Sequence, residues 1–360
     1  MSINVYAPLS TLAALQLGQQ NVKSLTAQLQ DVSQELSTGL RANVFADLGQ
    51  NANFTLQLRS QMDVTEGFVT SNTLLGNKMQ VVSTALGTVH DSAQSVLSAA
   101  LSNMTSPGDT ATTLQMQAKA ALDQIASSLN TNFAGQFVFS GTTSNAPSVQ
   151  SFTQASPSTG VSPAQVFANI IGGGLTSSAD ASAKIAQLDA AFNSTSGTAS
   201  QNFEGTFYNG TPATDTSGSP NARQTAVIAD QQTLSYGVQA NDPEMRNVIQ
   251  GLGMLASVDV SKISDPGAYQ TWIQSAISKL SAGVDGVTQA QSELGSQQQQ
   301  VADLVTSQSN MKNTLNTRVL DFESVDPYQA ASQLQALQTQ LQATYQATAQ
   351  LGKLSILNYL

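Results

Sequence analysis

A chain of 360 residues is long enough for two or three domains, yet only 10% of its residues are charged, against ~25% in ordinary globular proteins. Its net charge of −10 and only 13 Lys and Arg exclude a nucleic-acid partner, and the absence of cysteine excludes disulfides, thiolate metal sites and cysteine nucleophiles. No apolar run approaches the ~18 residues of a membrane span, and the first ~25 residues lack the basic and apolar regions of a Sec signal, so export without a cleaved signal peptide is expected.

The first predicted element is a helix whose residues Leu15, Gly18, Val22, Leu25, Leu29, Val32 and Leu36 recur in steps of three and four. That spacing holds one helix face against a partner helix. Ser37-Thr38-Gly39-Leu40-Arg41-Ala42-Asn43 breaks it, with Gly39 placed as a C-cap. A second, long helix follows, its seam running Phe68, Leu75, Met79, Val82, Leu86, Val89, Ala93 and Val96. It is expected to end near Asn103, ahead of the turn Thr105-Ser106-Pro107-Gly108. Asp109 or Thr110 should cap a third helix with the face Leu114, Ala118, Ala121, Ile125 and Leu129.

The pattern changes at Gly135. Gln136–Gly141 reads as a short strand entering a turn, and Thr142–Gly160 as a Ser-, Thr- and Pro-rich loop. Helical patterning over 163–194 is interrupted by Gly172-Gly173-Gly174. From Phe203 to Ala240 aromatic and β-branched residues accumulate between turn signals, which predicts hairpins. Helix returns at Pro243 with Met245, Val248, Ile249, Leu252 and Leu255, and a very long helical pattern runs from Pro266 to about Phe322. Asp326-Pro327 breaks it. The terminal helix carries the seam Ala330, Leu334, Leu337, Leu341, Thr344, Thr348 and Leu351.

The expected fold is mainly α: an elongated rod of long antiparallel helices and a terminal coiled coil, with a small mixed α/β insertion domain. Residues 1–40 with 325–360 would form the terminal coiled coil, 41–140 with 243–324 the helical rod, and 141–242 an outward-facing insertion. The outer faces of the two terminal helices favour self-assembly over a monomeric bundle. Segments 1–34 and 329–352 hold only Lys23 and Asp31 as charges, and a face of Gln, Thr, Ser and Ala is packed at far lower cost than one of Lys and Glu.

Catalysis has little foothold. The one histidine, His90, has only Asp91 beside it, and adjacent helical residues are expected to point to different faces. The triple glycine lacks the following Lys-Ser/Thr of a phosphate loop and reads as a linker. No catalytic residue, metal site or cofactor is assigned, and an enzyme is not expected.

Leu36-Ser37-Thr38-Gly39-Leu40-Arg41-Ala42-Asn43, followed by Ala46-Asp47, resembles the flagellin superfamily pattern in which Leu-Ser-Ser/Thr-Gly-x-Arg-x-Asn leads to Ala-Asp-Asp. Gly39, Arg41, Asn43, Ala46 and Asp47 match; Leu48 replaces the second Asp, and Phe45 and Gly49 replace the common prolines. Phe137–Ser144 and the ending Leu354-Ser355-Ile356-Leu357-Asn358-Tyr359-Leu360 are similar to the hook-associated branch of the same superfamily rather than to filament-forming flagellins, the alternative.

The resemblance implies a structural, extracellular protein of the bacterial flagellum, exported unfolded by the type III route. Its terminal helices would be disordered in the monomer and would order into an inner coiled-coil tube on assembly. The implied partners are copies of itself in a homo-oligomeric ring, a neighbouring hook-associated protein, flagellin, and a flagellar export chaperone shielding about 325–360, with no nucleic acid and no membrane.

Overall fold

The computed structural model describes residues 11–105, 111–193 and 198–357, with the backbone alone at 11, 12, 14, 15 and 351–357. The expected cap at Asp109 or Thr110, most of the turn before it, and the ending Asn358-Tyr359-Leu360 lie outside the described residues. The fold is mainly α, with only two small antiparallel sheets among the described residues.

Helix α1 (Thr11–Thr38) stops where Gly39 adopts φ 71° and donates its N–H to the Glu35 carbonyl at 2.8 Å, a left-handed cap that residues with a Cβ rarely adopt. A single turn, α2 (Val44–Leu48), precedes the long helix α3 (Asn51–Ser102) and then α4 (Ala111–Leu129). Strands β1 (Asn132–Phe133) and β2 (Gln136–Phe137) pair around Ala134 and Gly135, both at positive φ. Helix α5 (Pro163–Ile171) opens with a reciprocal capping box between Ser162 and Gln165. It is followed by α6 (Ser178–Asn193), the short α7 (Phe203–Thr206), strands β3 (Gln224–Ala229) and β4 (Gln232–Tyr236), and α8 (Pro243–Ser257). Helix α9 (Pro266–Glu323) is 58 residues long. Pro327 opens α10 (Pro327–Leu357), where Asp326 accepts the Tyr328 N–H at 2.8 Å.

The chain forms two compact units. The first holds residues 1–67 and 307–360. In it α1 packs antiparallel along α10, with Val32, Ala330 and Leu337 buried and Leu25 and Leu334 against them. A second small core in this unit brings Leu58 and Met62 of α3 against Leu315, Val319 and Phe322 of α9. Phe54 meets Phe322 edge-on at 5.6 Å, and Lys312 pairs with Glu66 at 2.8 Å.

The second unit, residues 68–306, contains the main core. The predicted faces of α3 from Leu75 to Val96 and of α4 are buried. Trp272 is fully enclosed, its indole N–H donating to the Met254 carbonyl at 3.1 Å. Glycines let α8 approach its neighbours closely: a Cβ at Gly283 would lie 2.8 Å from the Val248 backbone nitrogen, and one at Gly253 would lie 2.2 Å from the Phe167 ring. Phe152, Phe167, Phe192, Phe203 and Phe207 pack ring to ring in this core, so the segment 141–242 shares it with α4 and α8.

Two local expectations are corrected. The strand read over Gln136–Gly141 is only two residues long; Val138 to Ser140 are buried and spend their backbone bonds on Thr131, Thr211 and Ala240 instead of on a ladder. The hairpins read from Phe203 onward reduce to the single β3–β4 pair. Phe203–Thr206 is a helical turn because Asn202 caps it through the Gly205 N–H at 2.7 Å and Phe203 stacks on Phe207 at 5.3 Å.

Candidate assembly site

The terminal seam is the first candidate. Val32 and Leu337 are buried, while Val22, Leu25, Leu29, Leu334 and Leu341 are half-buried at its edges. Gly18 faces Thr348, its Cβ position 2.9 Å from the Thr348 hydroxyl. The side chains of Leu15 and Leu351 lie outside the described residues. Leu36 departs from the expectation and is exposed. On a 3.6-residue helix a strict heptad face drifts, and here the contact line continues from Val32 through Glu35 to Gly39. The rest of α10 presents Gln, Thr, Ala, the exposed Tyr345 and, at the start, the exposed Tyr328, with no ionised side chain before Lys353.

The second candidate is a latch at the base of that seam. The turn after α1 lies antiparallel to the turn before α10, bridged at Leu40 and Ser324. Arg41 donates its N–H to the Glu323 carbonyl at 2.8 Å, and Val325 donates to the Gly39 carbonyl at 3.0 Å. The Arg41 side chain adds a bond from Nε to the Phe322 carbonyl at 3.2 Å, while Glu35 accepts the Ala42 N–H at 3.1 Å. Beneath it the Glu323 carboxylate, 3% exposed, is gripped by Arg59 through Nε at 2.9 Å and through Nη2. A fork-on-carboxylate pair of this kind fixes orientation as well as charge, and the hydrogen bond to Glu323 raises the Arg59 pKa.

The motif residues thus separate. Gly39 and Arg41 build the latch, whereas Asn43, Ala46 and Asp47 sit exposed around α2, with Asp47 donating its N–H to the Asn43 carbonyl at 3.0 Å. Sequence reasoning missed Arg59 and Glu323. The available signal was an arginine next to the apolar line Ala52, Leu58 and Met62, and a glutamate just before the Asp-Pro break.

The Phe139-Ser140-Gly141 turn is also built tightly. Phe139 is buried, Ser140 bonds Ser148 at 2.8 Å, and a Cβ on Gly141, at φ 67°, would lie 2.9 Å from Gln239 and 3.0 Å from Thr211. The Thr211 hydroxyl accepts the N–H groups of Thr142 and Thr143 at 2.9 and 3.0 Å.

His90 does meet Asp91, with Nδ1 3.0 Å from Oδ1, against the expectation that neighbours point apart: two side chains flanking the same turn at the helix surface lean together. Among the described residues no three His, Asp or Glu side chains gather as metal ligands. Gly172 at φ 59° caps α5 by donating to the Ala168 carbonyl at 2.9 Å. A cleft of about 270 Å³ is lined by Arg223, Tyr236, Asp242, Glu244 and Glu293. Its arginine is already held by Asp242 through bonds of 2.9 and 2.6 Å, and burial raises the Glu244 pKa. Among the described residues no helix is long and apolar enough to cross a membrane.

The bacterial flagellin N-terminal helical region matches residues 9–144, and the bacterial flagellin C-terminal helical region matches residues 277–360. These two ends of one family together cover more than half of the chain. Among solved structures, a protein from Vibrio parahaemolyticus described as a flagellar hook-associated protein superposes with a TM-score of 0.51 at 13% identity. The match covers 77% of this chain and 99% of that one, a likeness of fold. No curated protein sequence matches.

Proposed function

This chain belongs to the bacterial flagellin family, and from that membership we propose that, as a structural protein of the flagellum, it is an adaptor between hook and filament, of the hook-associated protein 3 type. The observation that carries the assembly reading is the terminal seam: two long helices paired along one apolar line, with outer faces almost free of charge. A pair of that kind is partly buried by its own partner helix and left for copies of itself to enclose. Uncharged amide and hydroxyl side chains then hydrogen-bond across subunits without the desolvation cost of ion pairs.

On this reading residues 1–40 and 325–360 form the assembly domain, 41–140 and 243–324 stiffen the subunit, and 141–242 faces outward. Leu15, Val22, Leu25, Leu29, Val32, Leu334, Leu337, Leu341 and Leu351 carry the assembly seam, which leaves out the exposed Leu36. The partners are copies in a ring, a neighbouring hook-associated protein on one side, flagellin on the other, and before export a chaperone covering about 325–360. Export proceeds unfolded by the flagellar type III route. The adaptor rather than the filament role is supported by the Phe139-Ser140-Gly141 turn and by the ending Leu357-Asn358-Tyr359-Leu360.

Copy number tests the choice. In sheared flagella quantified by mass spectrometry, an adaptor is a trace component with one ring per filament. Abundance equal to that of the dominant filament band would make this chain a filament-forming flagellin.

A further inference from the structure

The cleft of about 270 Å³ in the second unit holds carboxylates that the subunit leaves without a counter-ion. Its walls are the end of β4, the first turn of α8 and two turns of α9. Arg223 and Asp242 satisfy each other there, which leaves Glu244 and Glu293. Glu293 is exposed and meets Gln297 at 3.5 Å. Among the described residues no cation forms an ion pair with either glutamate. Glu244 is half-buried, and burial, helped by the Asp242 charge, raises its pKa. Keeping it ionised costs free energy that a cation in the cleft would offset. The walls do not simply close over it, because α8 and α9 already touch at this point: the Glu244 Cβ is 2.6 Å from the position a Cβ on Gly286 would take. The cleft is smaller than one helical turn, about 400 Å³ for a cylinder of ~10 Å diameter and ~5.4 Å pitch, so it admits a side chain and not a helix.

A complementary group stands on the same unit. Among its described cations, Lys184, Arg223, Lys262 and Lys279 have carboxylate partners. Lys78 lies over the Tyr236 ring, and Arg246 holds the Phe192 carbonyl. Lys119, exposed on α4, has no partner and does not reach the cleft of its own subunit. We propose that the cleft is a docking site for a neighbouring copy of this chain, and that Lys119 of that copy enters it between Glu244 and Glu293. Such a contact is heterologous: each copy presents a lysine on one surface and accepts one on another, the form of contact that propagates around a ring. A single ammonium between two carboxylates, one of them already desolvated, differs from an exposed surface pair, which is worth little. The contacts of Gln115 with Ala256 and of Ile125 with Ile249 set Lys119 level with about Leu252, ~12 Å along α8 from Glu244. Neighbouring copies are therefore offset by that much along α8. This inference rests on the reading of the chain as an assembly of copies, and its test separates the two.

Charge reversal in the full chain tests it, in cells whose own copy is deleted, with the amounts in the medium and in sheared flagella measured by mass spectrometry. Glu293→Lys, Glu244→Lys and Lys119→Glu should each be exported at the parent level and lower incorporation about tenfold or more. Glu293→Lys combined with Lys119→Glu restores the attraction in the opposite sense and should recover most of the parent amount. Lys262→Glu, which reverses an exposed lysine that does not line the cleft, should change nothing. Should Glu244→Lys fail to fold, Glu293→Lys, on the exposed wall, carries the test alone. Undiminished incorporation of Glu293→Lys and Lys119→Glu would overturn the proposal and leave the adaptor reading standing. A loss in Glu293→Lys that Lys119→Glu does not repair would give the cleft to a cation of another protein or of the solvent, which also overturns it. A parent chain absent from flagella would overturn the adaptor reading and this inference with it.

Discussion

Replacing Leu337 by Asp should open the terminal helix pair. Leu337 is 7% exposed and packs with Val32, Leu25 and Leu334. Removing the leucine forfeits about 1.5–3 kcal/mol of apolar burial. The carboxylate left in its place finds no cation, since the ionised side chains of the adjoining stretch of α1 are Asp31 and Glu35, both acidic; an unsatisfied buried group adds about 1–3 kcal/mol. The total, about 2.5–6 kcal/mol, is roughly half of the gross gain of about 5–10 kcal/mol from a core of three buried residues, one of them Ala330, and two half-buried ones. The variant should therefore be exported and yet fail to enter flagella, as measured by its amount in the medium and in sheared flagella. Tyr345, 53% exposed on the outer face, separates the pair from the contacts around it: Tyr345→Phe, which leaves the seam untouched, should enter flagella as the parent chain does. Normal incorporation and motility of Leu337→Asp would refute the assignment of this seam.

Arg59→Ala should lower the stability of the unit formed by residues 1–67 and 307–360 by about 1–3 kcal/mol, less than for a fully buried pair because the arginine side chain is 50% exposed. The amides of Arg41 and Val325 should lose exchange protection first. Gly283→Ala should cost about 1–3 kcal/mol, since its Cβ would meet Val248 Cγ2 at 2.6 Å and also the Val248 backbone nitrogen at 2.8 Å, which cannot swing away; urea unfolding followed by the fluorescence of Trp272, the single tryptophan, reads the loss directly. Glu244→Gln should stabilise the unit 68–306 at neutral pH. Burial raises the folded pKa of Glu244 above 4.5, so its contribution is fully present below about that pH and is lost as pH rises through the folded value. The advantage of the variant should appear over that rise and vanish in acid; an equal advantage at every pH would contradict the cause given.

Features whose physics is local were legible in the sequence. Three-four spacing marked the α1 and α10 seams and the buried face of α4, a glycine requiring positive φ marked the end of α1, and Asp326-Pro327 marked the start of α10. Leu36 failed because a heptad count assumes a supercoil that keeps the face aligned, and near its end α1 follows its own 3.6-residue period. The hairpins expected after Phe203 failed because aromatic content favours strands only when no cap competes; Asn202 supplies one, and the Phe203–Phe207 stack completes the turn. The latch was beyond sequence reasoning: Arg59 and Glu323 are 264 positions apart, and only the antiparallel course of α3 and α9 brings them together. The aromatic cluster likewise gives no sign along the chain that Phe167 will lie under Gly253 of α8.

Immunogold electron microscopy of intact flagella, with antibody raised against residues 141–242, tests the central claim most directly. The account predicts gold confined to one narrow band where hook meets filament. Gold along the whole filament would make the chain a filament flagellin, and flagella that bear no gold at all would contradict its place in the organelle.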